Sequence, residues 1–177
     1  MKKIVFLILA LAIFYFSSCT SEVSNSSVKL FNSVGFIRSE IALLNKSNSH
    51  LLKTAEYNSK KEIFQLDTVN WNKEFELIVA SNISEKYLSY KIDSIQQNDS
   101  TIITYSSKET KSEVRKFVVV KYQNTIKRIA IERMKENAFY YSKQEIEYVP
   151  QTFFSIYAKE KMIMSDTTYY RITGVIN

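Results

Sequence analysis

The sequence predicts an α+β domain in which an N-terminal helix, a hairpin and a short second helix pack against a curved antiparallel β-meander of about seven strands. Three observations carry this. Apolar residues recur at alternating spacings of four and three in residues 30–44 and again in residues 71–79, the period of a helix with one buried face. From Lys86 onward the pattern changes to strands separated by short polar connections, which suits antiparallel neighbours. The 177 residues include only two glycines and one proline, which disfavours glycine-rich phosphate cradles and dinucleotide folds and leaves Asn, Asp, Ser and Lys to make the turns.

The first helix is predicted from about Ser27 to Lys46. Leu30, Val34, Ile37, Ile41 and Leu44 line one face, with Lys29, Arg38, Ser39 and Glu40 elsewhere on the cylinder. This seam covers little more than two heptads, which favours packing on the protein's own sheet over a coiled-coil partner surface. Leu51 to Tyr57 and Glu62 to Leu66 read as a hairpin joined by the polar loop Asn58-Ser59-Lys60-Lys61. Asn70 is placed to cap a second helix of about three turns, with Trp71, Phe75, Ile78 and Val79 on one face. A Trp in the first turn of such a face suits packing better than a ligand anchor.

The predicted meander strands are Tyr87 to Ile95, Ser100 to Ser106, Glu113 to Tyr122, Ile126 to Met134, Ala138 to Tyr148, Thr152 to Met164 and Thr168 to Ile176. Val114, Val118, Val120 and Tyr122 are expected to share one face, and an Asn124-Thr125 turn leads on to Ile129 and Ile131. Phe154, Ile156, Ala158, Met162 and Met164 alternate with Ser155, Lys159 and Lys161. One face of the sheet is therefore expected to be apolar and the other mixed.

Ahead of this domain stands an export segment. Lys2 and Lys3 form a basic head, Ile4 to Phe16 is an unbroken apolar run of 13 residues, and Ser17-Ser18 leads into Cys19, the single cysteine. The run is shorter than the roughly 20 residues that a spanning helix needs and has the layout of a secretory signal. An exported chain with one thiol has no disulfide partner within itself, so Cys19 calls for another explanation. These residues resemble bacterial lipoprotein signal peptides, in which the chain is cut before a cysteine that then carries acyl chains; Phe16 stands where that family usually has Leu. The resemblance implies residues 1–18 as signal, Cys19 as the lipidation site, 19–27 as lipidated cysteine and polar tether, and 28–177 as one envelope domain. Thr20 follows the cysteine in place of the Asp that retains some lipoproteins at the inner membrane, which implies the outer membrane, on its periplasmic or its surface side. Removing Lys2 and Lys3 leaves 22 basic residues against 18 acidic ones, a mature charge of about +4 that is too mild for a nucleic-acid binder.

The tyrosine-, lysine- and asparagine-rich chain after the lipidated cysteine is similar to uncharacterised outer-membrane lipoproteins of the Bacteroidetes type. In element order it also resembles the open half-barrels of periplasmic lipoprotein carriers. The general O-glycosylation signal of those bacteria is Asp, then Ser or Thr, then a small apolar residue or Thr. Asp67-Thr68-Val69, Asp93-Ser94-Ile95, Asp99-Ser100-Thr101 and Asp166-Thr167-Thr168 match it and include all four aspartates. The resemblance thus marks Thr68, Ser94, Ser100 and Thr167 as candidate acceptors; the same pairs also make Asx turns and helix caps.

Constellations for catalysis are thin. His50 is the only histidine, in a polar turn, and the only cysteine is assigned to acylation. No histidine-rich metal site is possible, no cofactor is implied, and Glu145 and Glu147, which share a strand face as a general acid and base would, are better explained with Lys143 as a solvated charged face. An enzyme is not expected. The candidate ligand face is the mixed side of the last three strands: Tyr141 and Lys143, then Tyr157, Lys159 and Lys161, then Tyr169 and Arg171. Interleaved rings and cations suit sugars, lipid headgroups or an acidic protein partner; cross-strand Tyr and Lys pairs also stabilise an exposed sheet without any ligand. The expected role is a lipid-anchored, non-catalytic binding or assembly module of the envelope, with an envelope protein, glycan or lipid as partner. The alternative is a lipid or lipoprotein carrier with an acyl-chain cavity.

Overall fold

The computed structural model describes residues 31–83 and 88–177. The predicted export segment, Cys19 with its predicted tether, Ser27, Lys29 and Leu30, and the predicted strand start at Lys86 and Tyr87 lie outside the described residues. Within them the first helix starts later than predicted, at Ser33, because the Asn32 side chain accepts from the Gly35 N–H and caps it there.

The chain forms α1 (Ser33–Lys46), the hairpin β1 (Leu51–Tyr57) and β2 (Lys60–Leu66), the short helices α2 (Trp71–Glu74) and α3 (Glu76–Ala80), and the meander β3 (Tyr90–Gln97), β4 (Ser100–Ser107), β5 (Val114–Tyr122), β6 (Thr125–Glu136), β7 (Tyr140–Val149), β8 (Phe153–Met162) and β9 (Thr168–Ile176). This is the predicted α+β order. The hairpin also joins the meander: β1 pairs antiparallel with β9, from Leu51 opposite Ile176 to Tyr57 opposite Tyr170. One nine-stranded sheet results, in the order β2-β1-β9-β8-β7-β6-β5-β4-β3.

The helices cover one face of the sheet. Ile37, Ile41 and Leu44 of α1 and Trp71, Phe75 and Ile78 of the short helices are buried against Tyr105, Phe117, Val119, Ile129, Tyr148 and Phe154. Phe75 sits at the centre, its ring 5.0 Å from Tyr148, 5.6 Å from Phe154 and 5.7 Å from Trp71. Offset and edge-on ring pairs of this kind add about 0.5–1.5 kcal/mol each beyond the area they bury. Trp71 is accordingly a packing residue. Gly174 on β9 admits the Phe154 ring: a Cβ there would stand 2.2 Å from it.

Several details differ from the sequence reading. The predicted second helix is interrupted. Asn70 caps α2 through its side chain, which accepts from the Lys73 N–H at 3.2 Å, but Phe75 breaks the regular turn at φ −99° and ψ 7° as its ring enters the core. The hairpin loop is two residues, Asn58-Ser59, with Lys60 and Lys61 already in β2; Asn58 takes φ 51°, which lets so short a turn follow the strand twist. Likewise the β5–β6 turn is Gln123-Asn124, with φ 46° and 66°, and Thr125 opens β6. In β5 a bulge at Arg115 flips the alternation: Val114 faces the helices with Phe117 and Val119, whereas Val118 and Val120 face the other way. Met162 and Met164 leave the apolar alternation of β8 and are exposed.

Glu40, assigned by the spacing to the polar side of α1, is buried at 5% exposure between Ile37 and Leu44. Its carboxylate accepts a 2.7 Å hydrogen bond from the Tyr148 hydroxyl on β7, which binds the helix to the middle of the sheet. Burial, followed by the hydrogen bond to Glu40, pushes the Tyr148 hydroxyl well above the ordinary tyrosine range. A raised tyrosine pKa gives stability that is complete below the unfolded value, about 10, and is lost as pH rises from there through the folded value. Tyr148→Phe should therefore cost about 1–3 kcal/mol at neutral pH by stranding a buried carboxylate. Urea denaturation should also show that this variant loses less further stability than the parent above about pH 10. Equal midpoints at neutral pH would show that Glu40 finds another partner.

Candidate functional site

The face of the sheet away from the helices carries a hollow of about 650 Å³ across β5 to β9. Strand alternation and register build it row by row. Its floor is a line of mostly small residues in direct cross-strand pairing: Val118 with Ala130, Ala130 with Glu147, Glu147 with Ser155, Ser155 with Thr173. The next row carries charged and aromatic side chains, with Lys116 opposite Glu132, Glu132 opposite Glu145, Glu145 opposite Tyr157 and Tyr157 opposite Arg171. Phe153 and Arg128 stand at the other side of the floor.

The charges are partly engaged. Arg128 donates to Glu147 at 2.5 Å and Lys143 to Glu145 at 2.8 Å. The hydrogen bond to Glu145 also holds the Lys143 ammonium above the usual lysine range. The Arg171 guanidinium lies 5.4 Å from the Tyr157 ring centroid, and Lys159 Nζ lies 5.9 Å from that of Tyr169. Among the described residues, Lys116, Glu132 and Arg171 form no ion pair, so donors and acceptors for a ligand remain around the floor. Wall and floor together offer ring faces, a planar guanidinium and carboxylates.

All seven residues of the predicted ligand face lie on this side of the sheet, but they do not form one site. Tyr157 and Arg171 line the hollow. Lys143 and Lys159 are direct partners one row further, and Lys159 pairs with Tyr169; Tyr141 and Lys161 pair in the row after that. Glu145 and Glu147 line the hollow too. The sequence reading missed Lys116, Arg128, Glu132 and Phe153. The charges flanking Ile129 and Ile131 marked an exposed face, but which strands lie beside it is a matter of register.

A second, smaller hollow of about 410 Å³ opens between the short helices and the sheet on the helix face; Leu77, Phe154, Ile156 and Ile172 line its apolar side, and Lys53, Lys73, Glu74, Glu76 and Arg133 surround it with charge. A pocket of about 250 Å³ shares Leu77 and Arg133 with it. Arg133 donates through Nη2 to Glu113 at 3.0 Å, while its Nε and Nη1 are buried without a hydrogen-bond partner. Beside it the Tyr140 hydroxyl donates to Glu160 at 2.7 Å, and burial raises the pKa of both Tyr140 and Tyr170.

Elsewhere, His50 is exposed and stands 3.6 Å from Asp67. Among the described residues no three of His, Cys, Asp and Glu gather as metal ligands would, and no helix is long and apolar enough to cross a membrane. Of the candidate glycosylation acceptors, Thr68 and Ser94 are exposed, and Ser100 and Thr167 are half-buried. No protein-family model, curated protein or solved structure matches the chain.

Proposed function

We propose that this protein is a lipid-anchored, non-catalytic binding module of the bacterial cell envelope, held at the outer membrane through acylated Cys19, and that the hollow on its helix-free face receives a glycan. The observation that carries the reading is the floor of small residues walled by Tyr157, Phe153, Arg171 and unpaired charges of both signs. A sugar ring presents an apolar face and a rim of hydroxyls, so it needs a ring surface to lie on and fixed donors and acceptors around it. An acidic protein partner suits this hollow less well, because three carboxylates, Glu132, Glu145 and Glu147, line it.

Cys19→Ser should abolish the acyl mass of the mature N-terminus and move the protein from the membrane to the soluble fraction of fractionated cells. Unchanged membrane retention and mass would refute the anchor. For the ligand, isothermal titration with delipidated lipopolysaccharide fragments should give binding that Tyr157→Ala or Arg171→Ala weakens about tenfold, equivalent to about 1.4 kcal/mol. Absent binding by the parent, or equal binding by both variants, would sink the glycan reading.

A carrier function is the second reading, and the 410 Å³ hollow beneath α3 favours it. Its apolar side, from Leu77 to Ile172, suits part of an acyl chain, and Arg133, whose buried Nε and Nη1 have no hydrogen-bond partner, suits an anionic head. The packing of Phe75 against Trp71, Tyr148 and Phe154 limits the space available to this side pocket. Native mass spectrometry of the envelope-purified protein should then show a lipid mass that leaves on denaturation. A bare chain would argue against carriage.

A further inference from the structure

At the end of the sheet where β6 turns into β7 and β8 into β9, four large apolar side chains stand in water. Phe139 is 69% exposed, Met162 59%, Ile163 60% and Met164 102%. They lie in two neighbouring turns and, for Met162, at the end of β8 leading into one of them; the turns are tied together, since the Ile163 N–H donates to the Phe139 carbonyl at 2.9 Å. Each turn is braced internally as well: Phe139 N–H donates to Asn137 Oδ1 at 2.9 Å, and Met162 N–H to Ser165 Oγ at 3.2 Å. Met164 holds φ 64°, a left-handed conformation that is unfavourable for a long side chain and that places it at the apex. A strained backbone that displays an apolar residue to water calls for a partner that covers it.

The position of the tip relative to the anchor identifies that partner. Phe31, the first described residue, donates its N–H to the Tyr105 hydroxyl and packs on Phe117. Tyr105 and Phe117 share a cross-strand row with Ile131, Ile146 and Ile156. From that row α1 runs toward β1 and the opposite end of the sheet, away from the tip, so Phe31 is at the tip-side end of the helix. Six residues of β8, from Ile156 to Met162, separate this row from the tip, about 20 Å at strand rise. Three strand spacings from β5 to β8 add about 14 Å sideways. The 12 residues from Cys19 to Phe31 span at most about 40 Å when extended, enough for the lipid anchor and the tip to meet one bilayer.

We infer that the Phe139 and Ile163-Met164 turns dock into the bilayer that holds the anchor, so that the domain is fixed at two points on the membrane. This rests on the anchoring reading above. The charges at the tip cancel, with Lys135 and Lys161 against Glu136 and Asp166, so apolar burial drives the docking and no anionic headgroup is required. With the tip down, the hollow on the helix-free face opens sideways from the membrane.

The test uses the full acylated protein, purified in detergent and reconstituted into phosphatidylcholine vesicles, with an environment-sensitive fluorophore at Met164→Cys. Ile95→Cys, at an exposed position on β3 near the opposite end of the sheet, is the control. The Met164 label should shift to the blue and lose emission to brominated acyl chains, equally at low and high salt, while the Ile95 label is quenched by aqueous iodide alone. Adding Phe139→Asp and Ile163→Asp should return the Met164 label to water without removing the acyl mass. Equal iodide quenching of both labels, or docking that salt abolishes, would overturn the inference. An N-terminus without acyl mass would refute the anchor instead, a separate readout from the fluorescence.

Discussion

A strand whose sheet is covered on one side can bury only every second residue, and α1, α2 and α3 cover only one side of this sheet. Tyr105, Phe117, Ile131, Ile146 and Ile156 fall in register across five strands on the covered face. Their immediate neighbours in sequence must then face water in register too. The rows that build the hollow, from Lys116 to Arg171, follow from that alternation. The site is the reverse side of the core.

The alternation holds because the helices are fixed on the sheet at a few strong points. Phe75 reaches Tyr148 and Phe154 with its ring, and the regular turn between α2 and α3 gives way to let it do so. Glu40 is the polar counterpart: a buried carboxylate is costly unless bonded, and the Tyr148 hydroxyl is its partner. Tyr148 therefore contacts the Phe75 ring at the junction of α2 and α3 and donates a hydrogen bond to Glu40 of α1. Where the helices stop short of the sheet, near Arg133 and Tyr170, packing gives way to the side hollow.

The two ends of the sheet differ. At one end His50 and Asn177 exchange backbone hydrogen bonds and close the sheet beside the start of β1. At the other, Phe139 and Met164 are held out into water by bonded turns. Were the domain held by a short tether, as proposed above, even a small apolar tip would meet its membrane at high local concentration.

Periodicity alone determined the element order, the helix face of Ile37, Ile41 and Leu44, the Asn70 cap and the solvent side of Tyr157 and Arg171, because these depend on neighbours three, four or two residues away. The layout behind the proposed export signal and the proposed acylation of Cys19 is a local pattern too. What only the tertiary structure decided depends on distant partners. The addition of the hairpin to the meander rests on β1 pairing with β9, more than a hundred residues on. The burial of Glu40 rests on a tyrosine 108 residues away. The bulge at Arg115 reversed the face of Val118, since one extra residue exchanges inside for outside. The gathering of Lys116, Arg128 and Glu132 with Arg171 is likewise a product of strand register, which the alternation within any single strand does not contain.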